Sequence, residues 1–385
     1  MNFNNQKIDF REFHINEFPQ DRVFVCLEES FHRRLFEFLK KYKFKDFNRV
    51  FFNGDLNYHN FKQWNRRKHF MPLCFIVHLS EKFREFSIEE FEKNIVAMKG
   101  PSTSGIINNP ELPLKEDTRL MKIIAHLLGD GSVGGGFGSN LPNGKQHSEY
   151  RNFNLGLLDS FERDLSVFGE VPTTTCYKHG HIVIPNLIGY VLQHIYKIKF
   201  DCFNSRIPES LYTLPKELVA SFLRAFGDDE GHVYDSSIDY YSNNKYLLTD
   251  ILALMNKVFP EIETSYIKTN AKAGKNTKYS LTIFNESQEK YLNFIGFDHK
   301  QKMEDLIFNI KRKKKWDPRL HCQNRGTEQK ILDIIKEGDI TGKQISRKLV
   351  IRHSHILRYL NKLHKQGKIE VVRKERWANV WRSIK

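Results

Sequence analysis

Two stretches of the 385-residue chain decide its reading: MKIIAHLLGDG at 121–131 and SFLRAFGDDEG at 221–231. Each is an apolar run that ends in an acid followed by glycine. In the first, Leu120, Ile123, Ile124, Leu127 and Leu128 recur at i, i+3, i+4, i+7 and i+8, one face of a helix; Leu218, Val219, Phe222, Leu223 and Phe226 do the same in the second. Asp117 is placed to cap the first helix, and Gly131 and Gly231 to end the two.

The signals that follow each helix repeat as well. Turn-broken, β-prone segments (132–155 and 232–243) lead into helices from Leu157 to Phe168 and from Tyr246 to Phe259. Paired β-prone runs come next, Thr173–Lys178 with Ile182–Ile184 and Glu263–Thr269 with Tyr279–Phe284. Helices from Leu187 to Tyr196 and from Gln288 to Ile295 close the halves. The order αββαββα thus occurs twice, over 117–215 and 216–310, an internal duplication.

Asp130 and Glu230 hold the same place in both halves, at a helix C-terminus where the backbone dipole disfavours negative charge. Setting an acid there twice calls for a compensating cation. Carboxylate oxygens suit Mg²⁺ (or Mn²⁺), and metals held between two such acids activate water and stabilise a leaving oxygen in phosphodiester hydrolysis. Ala125 and Gly129, four apart, permit close helix packing; in the second helix Ala225 is small, but Asp229 stands where Gly129 does. The plainer alternative is a pair of core helices with solvated acids. The duplication weighs against it.

On these residues the chain resembles the LAGLIDADG homing endonuclease family. The nine-residue motif aligns with Ile123–Gly131 and with Leu223–Gly231. The family's metal-binding acid falls on Asp130 and Glu230, with Gly129 and Asp229, just before them, in the metal-holding set. The frequent sixth-position Asp is kept as Asp228 and replaced by Leu128. The resemblance covers about half of the chain. It implies an α+β fold: two pseudo-symmetric αββαββα repeats whose β-sheet saddle lies on duplex DNA, in a monomer. It also implies a basic residue near the metals. Lys302 is the best placed in the second half, ahead of Lys300; the first half leaves Lys199 and Arg206 open, with Arg206 carried as a catalytic candidate. A GxGxxG match at 129–134 follows a helix instead of a strand, so a dinucleotide site is not expected.

The net charge is +15, and its placement is uneven. Residues 311–385 hold 22 Lys or Arg against 7 Asp or Glu, while the preceding 310 residues balance at 39 each. Such a tail points to a polyanion. Residues 327–385 resemble a winged helix-turn-helix: helices from Glu328 to Glu337, Thr341 to Leu349 and His353 to Gln366, then a hairpin of Lys368–Arg376 and Asn379–Ile384. Ile356, Leu357, Leu360 and Leu363 are expected inward. Arg352, His353, His355, Arg358 and Lys362 on the third helix, with Arg373, Lys374 and Arg376 on the wing, are the expected DNA contacts. Lys311, Arg312 and Lys313 open a basic linker at 311–326 that could touch phosphates.

Residues 1–100 read as a mainly helical domain, and 101–116 (PSTSGIINNPELPLKE) as a linker. Within the former, LNYHNFKQWNRRKHFMPL (56–73) loosely resembles a helix-turn-helix segment, with Trp64 buried and Arg66, Arg67 and Lys68 after it. No apolar run is long enough to span a membrane, and the N-terminus lacks a secretory pattern. The five scattered cysteines form no CxxC pair and fit a reducing compartment, so the expected location is cytoplasmic and nucleoid-associated. Cys176 near His179 and His181 reads as an ordinary strand cysteine. The chain's ends give no self-splicing signature. The expected activity is metal-dependent, site-specific cleavage of double-stranded DNA, as in intron homing. The alternatives are a non-cleaving DNA-binding regulator and a maturase acting on intron RNA.

Overall fold

The computed structural model describes residues 10–101, 105–134, 147–270, 277–314, 326–375 and 378–384. Among them, α-helices and small antiparallel sheets alternate, an α+β arrangement.

The N-terminal part runs β1 (Glu12–Phe13), β2 (Phe24–Leu27), α1 (Glu29–Leu39), α2 (Phe44–Phe52), α3 (Tyr58–Asn65), β3 (Met71–Pro72), α4 (Leu73–Lys82), α5 (Ile88–Asn94), β4 (Ile95–Lys99), β5 (Ile106–Asn108) and β6 (Leu114–Lys115). One sheet has the order β3-β2-β4-β5, and β1 pairs with β6. Segment 101–116, expected as a linker, supplies two strands instead. Ile106 and Ile107 are β-branched, and Ile107 is fully buried as β5 completes the sheet. Edge-to-face phenylalanines fill the helical layer: Phe31 against Phe86 and Phe91, and Phe38 against Phe83 and Phe86.

The first repeat comprises α6 (Thr118–Gly129), β7 (Gly131–Ser132), β8 (Ser148–Arg151), α7 (Leu155–Asp164), β9 (Thr174–Cys176), β10 (His181–Ile184) and α8 (Asn186–Tyr196). The second comprises α9 (Lys216–Glu230), β11 (Gly231–Val233), β12 (Ser237–Ser242), α10 (Lys245–Val258), β13 (Lys268–Asn270), β14 (Lys278–Phe284), α11 (Gln288–Phe294) and α12 (Lys300–Lys314). The sheets share one strand order, β7-β8-β10-β9 and β11-β12-β14-β13. Registers correspond too: Gly131 faces Tyr150, and Gly231 faces Tyr240. Asp117 caps α6 as expected, accepting from the Arg119 and Leu120 amides.

α12 was not foreseen. It carries the chain through Lys314, so the stretch expected to open a basic linker is helical at its start. The consequence falls on two expected DNA contacts. Arg312 is 7% exposed and donates to the Asp235 carbonyl at 2.8 Å, and Lys313 donates to the Asn285 carbonyl. Both are spent on the second repeat. Lys311 stays exposed.

The tail has α13 (Thr327–Lys336), β15 (Ile340–Thr341), α14 (Gly342–Leu349), α15 (His353–Lys365), β16 (Ile369–Glu375) and β17 (Ala378–Ser383), with sheet order β15-β17-β16. Thr341 caps α14 in a reciprocal box with Gln344. Buried apolar side chains form two clusters, one shared by the N-terminal part and both repeats, the other confined to the tail. Leu357, expected inward, is 37% exposed and lines a groove between α15 and the second repeat. On α14, Lys343 and Arg347 pair with Asp305 of α12, the Arg347 bond at 2.8 Å.

Candidate active site

The site is built where α6 and α9 pack against each other. Gly129 makes their approach possible: a Cβ there would lie 3.1 Å from the Asp229 Cβ. Each helix then hands over to a strand through glycine. A Cβ on Gly131 would stand 2.3 Å from the Leu127 Cα, so only glycine lets the chain fold back over the last turn. Asp130 and Glu230, at the two helix ends, thereby reach one open cleft of about 530 Å³.

Asp130 opens to solvent at the cleft but is crowded by protein. Desolvation and the Asp229 charge push its carboxyl up to about 7, against Lys302 and His126. Glu230 is half-buried, and burial followed by the Asp130 and Asp229 charges pushes it up to about 8. Among the described residues, no side chain donates a hydrogen bond to either carboxylate.

Lys302 reaches this site as expected. It sits in the first turn of α12, and its Nζ donates to the carbonyls of Gly227 (3.1 Å) and Asp228. Burial lowers its pKa, opposed by the charges of Asp228, Asp229, Asp130 and Glu230. Asp228 aims it. The Asp228 carboxylate accepts from the backbone N–H of Asp298 (3.1 Å) and of His299 (2.9 Å), anchoring the entry to α12. Burial first of all pushes Asp228 up to about 7. In the first repeat, Leu128 has no carboxylate with which to anchor such a helix.

Asp229 does different work from that expected of it. Its side chain is wholly buried and saturated by residues of the first repeat: His126 Nδ1 at 2.8 Å, Tyr150 Oη at 2.7 Å and Asn152 Nδ2 at 3.1 Å. With three donors on it and no exposure to the cleft, Asp229 clamps the repeats together instead of facing a metal beside Asp130 and Glu230. Gly129 shares in that clamp by leaving room for it. Tyr240, at the position in the second sheet that Tyr150 holds in the first, bonds Tyr291 Oη at 2.7 Å instead of an acid.

Arg206 is not brought to the site. Its guanidinium grips Asp250 of α10 through two 2.6 Å bonds. Lys278, His232 and Tyr241 line the cleft and were missed. They lie on strands, where a one-residue shift of register changes the face, and no sequence signal fixed that register.

Among the expected DNA contacts of the tail, Arg352, Arg358 and Lys374 are exposed, and His353 and His355 are half-buried. Lys362 pairs with Glu328, and Arg373 with Asp339 (2.9 Å) and Glu375 (2.8 Å). Arg376 lies outside the described residues.

The carboxylates of Asp130 and Glu230 fit a hard divalent cation: among the described residues neither accepts a side-chain hydrogen bond, and both line an open cleft. Among the described residues, no group of three or more His, Cys, Asp and Glu forms a cage. Mg²⁺ is commonly held by one or two carboxylates, with water and phosphate completing its shell.

Residues 217–296 match the family model of the LAGLIDADG-like domain. The matched segment lies within the second repeat, from α9 to the end of α11. Among solved structures, the chain is similar to the homing endonuclease I-DmoI in complex with DNA and Ca (14% identity, 49% of this chain and 97% of that one, TM-score 0.35). It is similar at the same level to I-WcaI bound to its DNA recognition sequence (15% identity, 49% and 87%, TM-score 0.33). Among curated proteins, it is 26% identical over 267 residues to a glutamine--fructose-6-phosphate aminotransferase of Methanocaldococcus jannaschii, covering 62% of this chain and 23% of that protein. It is 29% identical over 141 residues to a probable translation initiation factor IF-2 of the same organism, 36% of this chain and 12% of that protein. The third relative is the DNA polymerase II large subunit of Thermococcus kodakarensis, 26% identical over 142 residues, 32% of this chain and 8% of that protein. The chain spans under a quarter of the length of each of these curated relatives.

Proposed function

We propose that the chain is a site-specific endonuclease that hydrolyses phosphodiester bonds of duplex DNA with a divalent metal. The observation that carries this reading is the convergence of Asp130 and Glu230, from two copies of one motif, on a single cleft beside Lys302. Both acids are held at helix ends against the dipole and against each other's charge, a cost that a scaffold used only for binding has no need to bear. The curated relatives differ in their named activities and match this chain over less than a quarter of their own length, so the shared part does not carry the chemistry of any one of them.

In this reading, Asp130 and Glu230 hold Mg²⁺ or Mn²⁺ between the repeats. A cation held there would supply activation of a water and stabilisation of the departing oxygen. The chain's own residues do the rest. Lys302, its pKa lowered by burial, stands beside the carboxylates to offset negative charge or take a proton. Asp228 orients Lys302 through the start of α12, and the His126–Asp229 clamp fixes the distance between the repeats. The β7–β10 and β11–β14 sheets form the DNA-facing saddle. The tail, read as a winged helix, adds affinity through Arg352, Arg358 and Lys374, and the chain acts as a monomer within the cell. The retained acid pair disfavours the regulator, while RNA maturase activity is a separate outcome of the same assay. Incubation with duplex DNA, with and without Mg²⁺, tests this: metal-dependent cutting supports it, and binding without cutting supports the regulator.

A further inference from the structure

A charged surface outside the cleft calls for its own ligand. Residues 40–68 contain nine Lys or Arg and only two Asp or Glu, and no acid follows until Glu81. This segment forms α2 and α3, joined by a five-residue turn, 53–57. The turn is fixed. Asn53 and Gly54 adopt positive φ (49° and 89°), and the Asn48 side chain holds the Gly54 carbonyl and both backbone groups of Leu56 at 2.8–3.2 Å. The apolar side of α3 is consumed inward. Phe61 packs against Phe44 at 5.2 Å between ring centroids and Trp64 against Phe75 at 5.1 Å, while His32 Nε2 bonds the Trp64 carbonyl at 2.9 Å.

What α3 presents outward is polar and basic. Tyr58, His59, Asn60 and Lys62 are exposed, and Arg66 and Lys68 are exposed beyond its C-terminus. Lys40, Lys41 and Lys43 are exposed ahead of α2, and Lys45 in its first turn. Cations flanking a helix with amide and imidazole groups match a duplex: cations for phosphates, Asn and His for base edges. A membrane-surface helix would turn its apolar side outward, whereas here that side is in the core.

We infer that α3 and its basic flanks form a further duplex-DNA contact, separate from both the acid cleft and the tail. This rests on the duplex-DNA reading above and deepens it. The N-terminal part shares one core with the repeats, so α3 is carried rigidly with them and lengthens the bound stretch of DNA.

The test uses the full chain and a random-sequence duplex of about 60 base pairs, enough to run past a single-domain footprint. Lysine acetylation is mapped by mass spectrometry with the duplex, with polyglutamate of matched charge, and with neither. The expected result is protection of Lys62 and Lys68 by the duplex well beyond that by polyglutamate. The triple variant Lys62→Ala, Arg66→Ala, Lys68→Ala should keep its melting temperature and show a salt dependence of binding shallower by about 2–3 in the log–log slope. Equal protection by polyglutamate makes the surface an acidic-protein contact and overturns the inference, as does no protection or an unchanged slope. Binding without cutting removes the nuclease reading and leaves this one standing; no binding to any duplex removes both.

Discussion

The Asp229 carboxylate of the second repeat and the His126 imidazole of the first meet across the α6–α9 interface at 2.8 Å, with both side chains almost fully buried. Burial alone would lower the His126 pKa, but the Asp229 charge and hydrogen bond outweigh it and raise it. The pair ties together the two elements that carry the candidate acids. Removing one partner strands the other in a water-free interface. Asp229→Ala should therefore destabilise the protein by about 3–5 kcal/mol. Asp229→Ala with His126→Leu should recover part of that loss, because both polar partners are then gone. Denaturant unfolding of the single and double variants measures this. Additive losses would mean that the two residues do not interact.

Metal and pH should be coupled. Asp130 and Glu230 have pKa values raised to about 7 and about 8, so the folded protein holds protons that the unfolded chain releases. Between the ordinary carboxylate range and these values, stability falls as pH rises, since the anions are desolvated and then also repel one another in place. A divalent cation relieves that repulsion without competing protons only above about pH 8. Mg²⁺ should raise the melting temperature more at pH 8.5 than at pH 6, a window set by these shifts. Asp130→Asn with Glu230→Gln should abolish the Mg²⁺ effect and stabilise the metal-free protein at the higher pH. Thermal scans at both pH values decide it; a Mg²⁺ shift that survives the double variant places the metal elsewhere.

Lys302 should matter for cutting more than for binding. Lys302→Met should slow cleavage by about 10²–10⁴, the range for a lost proton-transfer group, with duplex affinity within a few-fold of the parent. Lys302→Arg should keep the bonds to the Gly227 and Asp228 carbonyls while losing the titratable amine. The pH–rate profile of that variant separates a charge role from a proton-transfer role. Equal cleavage by parent and Lys302→Met would remove Lys302 from the site.

Arg206 should behave as a structural residue. Its two bonds to Asp250 link the start of the second repeat's approach to α10. Arg206→Met should lower the melting temperature by about 2–4 °C and leave the rate of cutting unchanged. A large loss of cleavage with no loss of stability would return it to the catalytic set.

The repeats were legible because their signal is periodic and duplicated: apolar face, acid, glycine, then strands in the same order. Asp130 and Glu230 were singled out for that reason, and Lys302 on the family resemblance. Asp229 was misread because its partners, His126, Tyr150 and Asn152, lie about 80–100 residues away, and the exchange of a small residue for a buried acid is explained only by the Gly129 opposite. Arg312 and Lys313 were misread because a run of cations looks solvated in sequence, whereas α12 continues and lays them against the carbonyls of Asp235 and Asn285. Lys278, His232 and Tyr241 depend on strand register, which alternation alone did not fix. Segment 101–116 was read as a linker from its Pro, Ser and Asn content, yet two adjacent isoleucines sufficed to make a strand once a sheet edge was available.

The most direct measurement is the capture and sequencing of ends produced when the full chain is incubated with genomic DNA from its host and from near relatives, with Mg²⁺ and with chelator. The account predicts double-strand ends at one or a few sites with Mg²⁺ only, and none from the Asp130→Asn, Glu230→Gln variant, which binds those same sites with unchanged affinity. Sites that are bound equally by parent and variant and cut by neither would contradict it.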